Sequence, residues 1–146
     1  KKEKEIISKE ILYDLPEWFG LPESTEEYIK DSQDKPFLAC YADNDIAGYI
    51  VLNATSKDTA DIFVMGIKKK FHRMGIGTKL NTEFENMAKN LGYSYSQVKT
   101  VKMGHYKEYD ITNEFYIAMG YKELECFPTL WDEWNPCQIY IKYLGK

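Results

Sequence analysis

Ala60-Asp-Ile-Phe-Val-Met-Gly-Ile67 runs directly into Lys68-Lys-Lys-Phe-His-Arg-Met-Gly-Ile-Gly77, and then into Thr78-Lys-Leu-Asn-Thr-Glu-Phe-Glu-Asn-Met-Ala-Lys-Asn-Leu91. The first segment is short and apolar and reads as a strand over Ala60–Ile67. The last repeats apolar residues at helical spacing. It predicts a helix over Ile76–Leu91 with Ile76, Leu80, Phe84, Met87 and Leu91 on the buried face, ended by Gly92. Between them lies a loop with Gly75 and Gly77 at the helix start. The first turn of a helix has unpaired N–H groups and the positive end of the dipole. Glycine lets that backbone approach a phosphate without an intervening Cβ. Strand, loop and helix start therefore form a candidate site for a phosphorylated ligand.

Outward from this unit the chain alternates strands and helices. Residues 3–14 predict a helix with Ile6, Ile7, Ile11 and Leu12 on one stripe, broken by Leu15-Pro16. A second helix is expected from Ser24, with Glu27 completing a capping box, and ends before Pro36. Phe37–Tyr41 and Ile46–Leu52 read as strands joined by an Asp43-Asn44-Asp45 turn. Ser96–Val101 is the next strand, and Met103–Tyr109 a polar, aromatic loop. Asp110 is expected to cap a short helix with Ile111, Phe115, Ala118 and Met119 inward and Gly120 as its stop. Lys122–Phe127 and Cys137–Leu144 close the chain as strands, linked by a loop bearing Trp131 and Trp134. This order describes one domain over residues 1–146, of α+β (mixed α/β) class: a central mixed sheet with helices on its faces.

The chain of 146 residues is 44% hydrophobic, enough for a core, and its 15% aromatic share suits a lined pocket. A net charge of −4 argues against a nucleic-acid partner and suits a cationic small molecule. Cys40, Cys126 and Cys137 are odd in number and lack metal-ligand spacing, so no metal is expected. They read as reduced thiols, and with no membrane-spanning or leader-like window the expected location is cytoplasmic. No membrane partner is expected. Exposed strand edges of such a sheet are compatible with a homodimer.

Gly75-Ile-Gly77 alone is a weak signal. A third glycine at dinucleotide spacing is missing, as is a Walker Gly-Lys-Ser/Thr. The second motif is Asn113-Glu-Phe-Tyr-Ile-Ala-Met-Gly-Tyr121, with Tyr116 one step off the expected core stripe and its hydroxyl turned toward a cleft. Taken together, the two motifs resemble those of the GNAT superfamily of N-acetyltransferases. The superfamily's Gln/Arg-x-x-Gly-x-Gly/Ala signature reads here His72-Arg-Met-Gly-Ile-Gly77. Its Tyr-x-x-x-Gly-Phe/Tyr signature reads Tyr116-Ile-Ala-Met-Gly-Tyr121. His72 departs from the pattern, because a neutral imidazole grips a pyrophosphate less well than a guanidinium.

The resemblance implies a GNAT-like sheet with splayed central strands, acetyl-CoA as co-substrate, and direct transfer to a primary amine of a small cationic acceptor. The pyrophosphate would meet His72 and the amides of Arg73, Met74, Gly75, Ile76, Gly77 and Thr78. Pantetheine would pair with the main chain of Met65 and Ile67, where Gly66 suits a bulge, and an N–H near Met65 would polarise the thioester carbonyl. Asn113 would reach the pantetheine or a bridging water, or else cap its helix with Asp110. Asp61 shares a strand face with Phe63, Met65 and Ile67 and is the expected base; the alternative is a solvated carboxylate at a strand end, and His105 is a rival base. Tyr116 would protonate the leaving thiolate, or else only pack at the sheet edge. Lys68–Lys70 would meet the 3′-phosphate or simply be solvated. Trp18, Phe19, Trp131 and Trp134 would wall an acceptor pocket, with Glu17, Glu23, Glu26 and Asp31 drawing in a cation. A non-catalytic acyl-CoA-binding or sensing domain would need neither Tyr116 nor Asp61.

Overall fold

A computed structural model describes residues 2–19 and 21–145. Helices α1 (Lys2–Leu12) and α2 (Pro22–Asp31) precede strands β1 (Phe37–Ala42), β2 (Asp45–Ala54) and β3 (Thr59–Ile67). Helix α3 (Ile76–Asn90), strand β4 (Tyr95–Val101), helix α4 (Lys107–Ala118) and strands β5 (Lys122–Phe127) and β6 (Cys137–Tyr143) follow. The strands form one mixed sheet in the order β1-β2-β3-β4-β6-β5. The chain divides into two compact units, the first made of residues 1–53 and 62–87, the second of residues 54–61 and 88–146.

In the first unit, α1 and α2 cover β2 and β3. Ile7, Ile11, Leu12, Leu15 and Ile29 bury against Tyr49, Val51 and Val64. Ile6 does not share that stripe and is 54% exposed; Ser8 takes the inward place. Helix α2 starts at Pro22, two residues before the expected Ser24, with no side-chain cap. Proline at the first helical position loses no hydrogen bond and fixes φ in advance, so Glu27 is released from the capping role. Gly66 is buried, and a Cβ there would stand 2.9 Å from Ile11 Cγ2 and 3.2 Å from Leu15 Cδ1. The absence of a side chain at Gly66 thus lets α1 lie directly on β3. Asp43 and Asn44 both take left-handed φ values of 52° and 68°, as a two-residue hairpin turn requires.

In the second unit, β6 pairs antiparallel with β4 on one side and β5 on the other. Helix α3 ends as Gly92, at φ 95°, closes the last turn, with Gly92 N–H donating to Lys89 O and Tyr93 N–H to Ala88 O. Leu91 lies past that turn and is 56% exposed, so Ala88 is the last inward residue instead. Helix α4 begins at Lys107, three residues before the expected Asp110, whose carboxylate accepts from Gly104 N–H within the loop. The inward stripe is correspondingly different. Asn113 and Tyr116 are buried, whereas Ile111 is 52% exposed.

Candidate active site

The glycine loop belongs to the first unit. After a single 3₁₀ turn at Lys69–Phe71 the chain turns left-handed at Arg73 (φ 64°) and again at Gly75 (φ 80°), and α3 starts at Ile76. Changes of hand of this kind turn successive N–H groups into a concave anion seat. The opening amides of α3 lack intrahelical acceptors. Arg73, Met74, Gly75 and Thr78 are exposed and Ile76 and Gly77 half-buried, so this backbone is open to solvent. A Cβ built on Gly75 meets nothing within 4 Å, which leaves the seat clear.

Met65 and Ile67 are half-buried on the same face of β3. His72 Nε2 lies 2.7 Å from Ile67 O, and the Trp18 ring meets the imidazole edge-on at 5.9 Å. The imidazole therefore ties the loop to the end of β3. The Ile67 carbonyl keeps a second lone pair for a ligand. Each of the three lysines has a carboxylate partner: Lys68 pairs with Glu10 and Asp45, Lys69 with Glu17, and Lys70 with Asp45.

A depression of about 220 Å³ opens in the first unit, lined by Ser24, Glu27, Tyr28 and Asp31 of α2 and by Phe63 of β3. Tyr28 meets Phe63 edge-on at 5.4 Å. Lys35 Nζ stands 4.8 Å from the Phe63 ring centre. None of the four aromatic residues expected to wall a pocket lines this one; of the carboxylates expected to draw in a cation, Asp31 does. Trp18 and Phe19 pack against the first unit's core, and Trp131 and Trp134 are 44% and 70% exposed in the β5–β6 loop.

Asp61, Asn113 and Tyr116 belong to the second unit. Asp61 is only 4% exposed, so it is not a solvated carboxylate at a strand end. Gln97 Nε2 donates to its Oδ1 at 3.1 Å, and Lys99 Nζ lies 3.6 Å from the same oxygen. Burial pushes the Asp61 carboxyl above the usual carboxylate range, with Lys99 and Gln97 pulling the other way. Tyr116 is 4% exposed and lies with Asn113 on the buried side of α4, where the sequence placed it one step off the core stripe. Burial raises its hydroxyl well above the usual phenol value, and the nearby Tyr121 and Asp61 add to the effect. The phenol is therefore a proton carrier at neutral pH.

Asn113 is fully buried and committed within the protein. Its Nδ2 donates to Val101 O at 2.8 Å and Tyr109 O at 2.6 Å, and its Oδ1 accepts from Tyr140 at 2.6 Å. No amide hydrogen is left for pantetheine, so the expected ligand contact gives way to a structural one.

The sequence profile of the Acetyltransferase (GNAT) family matches residues 8–121. The chain belongs to that family. It is accordingly an acyltransferase. Solved GNAT structures share its fold at low identity. One is a protein assigned to the GNAT family from Desulfovibrio desulfuricans, 15% identical, with a TM-score of 0.84, covering 99% of this chain and 95% of that one. An aminoglycoside 6′-N-acetyltransferase from Enterococcus faecium is 14% identical with a TM-score of 0.76, covering 97% and 92%. A GNAT acetyltransferase from Elizabethkingia anophelis with acetyl-CoA bound is 17% identical with a TM-score of 0.72, covering 88% and 87%. A search of curated proteins returned no match. No helix among the described residues is long and apolar enough to cross a membrane.

Sequence reading of this GNAT chain missed Gln97 and Lys99. Their signal was present: residues i and i+2 of a strand share a face, and a lysine in a strand of an interior sheet position asks for a carboxylate. It also missed Tyr28 and Phe63, and gave Glu27 a capping role that Pro22 makes unnecessary.

Proposed function

We propose that this GNAT enzyme transfers the acetyl group of acetyl-CoA to a primary amine of a small, cationic acceptor. The observation that carries the reading is Asp61: a carboxylate buried on β3, aligned by Gln97 and Lys99, in the same unit as the inward phenol of Tyr116. A free alkyl amine, with a pKa of about 10.4, arrives protonated, so a buried carboxylate that has gained basicity is suited to take that proton. The first unit offers the amides of Arg73–Thr78 to a diphosphate and the main chain of Met65 and Ile67 to pantetheine, with an N–H near Met65 as oxyanion donor.

Asp61 accepts the ammonium proton, and the amine nitrogen attacks the thioester carbonyl. Collapse of the tetrahedral adduct breaks the C–S bond, and the thiolate takes the Tyr116 proton. The second amine proton returns to the phenolate oxygen, and the proton on Asp61 leaves to solvent. The products are the amide, coenzyme A thiol and one released proton.

A cationic acceptor is supported by the Glu27/Asp31 depression. Two carboxylates one helical turn apart line it together with the aromatic rings of Tyr28 and Phe63. Three of the structural neighbours are aminoglycoside 6′-acetyltransferases, one complexed with coenzyme A. The test is a screen of polyamines, amino-acid amides and aminoglycosides with acetyl-CoA, following thiol release. Turnover confined to polycationic primary amines is expected; turnover only with neutral or anionic amines would reject the reading.

A further inference from the structure

Three elements surround the Asp61 carboxylate in the second unit: β4 with Gln97 and Lys99, α4 with Tyr116, and β6 with Cys137. Burial, the largest influence on each, keeps Tyr116 protonated and pushes the Cys137 thiol up to about 11. Gln97 carries no charge. Among the described residues, Lys99 is thus the basic side chain that pairs with Asp61. It is also the one with a path to water, since its side chain is 32% exposed while that of Asp61 is 6% exposed. Gln97 and Lys99 lie two residues apart on β4 and converge on one oxygen, Oδ1, which leaves Oδ2 to receive a proton.

We propose that Lys99 is a positioning residue for acetyl transfer: its ammonium keeps the enclosed Asp61 carboxylate ionised and turned with Oδ2 toward the incoming amine. The proposal rests on Asp61 as the base. A buried carboxylate without a counter-charge neutralises itself by holding its proton. With Lys99 beside it, the carboxylate stays empty and able to accept. Lys99 does not touch the acceptor; it acts through Asp61.

The pH dependence of kcat/KM for wild type, Lys99→Met, Lys99→Arg and Asp61→Asn tests this, alongside the Asp61 carboxyl titration followed by ¹³C NMR. In Lys99→Met the acid limb of the rate profile should move to higher pH by about one unit or more, roughly a tenfold loss of rate on that limb for each unit, with recovery at alkaline pH. The Asp61 titration should move in the same direction. Lys99→Arg, which keeps the charge, should restore the wild-type profile. A Lys99→Met enzyme whose Asp61 titration is unmoved overturns the proposal, as does one whose rate falls equally at every pH. Failure of the underlying reading looks different: Asp61→Asn would then keep the wild-type acid limb. If Asp61→Asn loses that limb while Lys99→Met leaves it in place, only the role of Lys99 is rejected.

Discussion

The Tyr140 hydroxyl donates to Asn113 Oδ1 at 2.6 Å, and both side chains are closed off from water. Through the same amide, Asn113 holds the end of β4 at Val101 and the first turn of α4 at Tyr109. One residue thus fixes the rotation of α4 and, three positions on, the inward direction of Tyr116. Replacing Asn113 with Ala would leave the Tyr140 hydroxyl and the Val101 carbonyl without this partner. The expected cost is about 1–3 kcal/mol of stability, read as a lower urea midpoint with an unchanged slope. A midpoint equal to wild type would show that the amide carries no such duty.

Tyr116→Phe removes the transferable proton and keeps the ring that packs on Phe115 and Tyr121. The fold should be retained and acetyl-CoA affinity nearly unchanged, while kcat falls by about 10²-fold, the low end for general acid–base groups. Calorimetric titration and steady-state kinetics separate the two effects. Undiminished kcat would take the phenol out of the mechanism.

The strand–loop–helix segment was legible because each of its parts is a local rule. Apolar β-branched residues make β3, glycine makes the left-handed turn at Gly75, and 3.6-residue spacing makes α3. The rotation of α4 was not legible. Its sequence offers apolar residues on more than one side, Ile111 and Ile117 as well as Phe115, so periodicity alone favoured the wrong stripe. A polar residue, Asn113, decides the matter through bonds to Val101 and Tyr140, which lie far apart in the chain. Asp61 shows the same limit. Its position on the strand was clear, but its enclosure depends on β4, more than thirty residues later.

Gly75 holds φ at 80° with open space where a side chain would project. An L-residue there costs about 1–2 kcal/mol of backbone strain, whichever side chain it bears. Gly75→Ala and Gly75→Glu should therefore destabilise the protein by similar amounts. They should differ in acetyl-CoA binding, because only glutamate places a bulky carboxylate in the seat for a diphosphate. Gly75→Glu is expected to abolish measurable binding by calorimetry, with Gly75→Ala intermediate. Tight binding by the glutamate variant would assign the loop another purpose.

Glu27 and Asp31 sit on the solvent side of their depression, so their attraction for a cation is screened by water and salt. The double variant Glu27→Gln/Asp31→Asn should raise KM for a polycationic amine by roughly 5- to 10-fold, taking each exposed charge at up to ~1 kcal/mol, with kcat nearly constant. KM for acetyl-CoA should not change. The effect should shrink as ionic strength rises. A KM increase that is equally large for a neutral amine would point to altered shape instead of lost charge.

Asp61 offers a prediction about stability as well as rate. Burial holds its carboxyl above the usual range in the native protein, and Lys99 and Gln97 offset this only in part. In the unfolded chain it titrates near 3.9. A group that binds its proton more tightly when folded favours the native state while protonated. That contribution is complete below the unfolded value and is lost as pH rises through the higher native value. Asp61→Asn has a similar shape and no titration. The stability of wild type relative to Asp61→Asn should therefore decline as pH increases from about 4, then level off once the native carboxyl is ionised. Urea unfolding of both proteins at a series of pH values measures this difference directly. A difference constant across that range would mean that Asp61 titrates alike in both states, and a carboxylate with ordinary basicity is a poor proton acceptor for an alkylammonium.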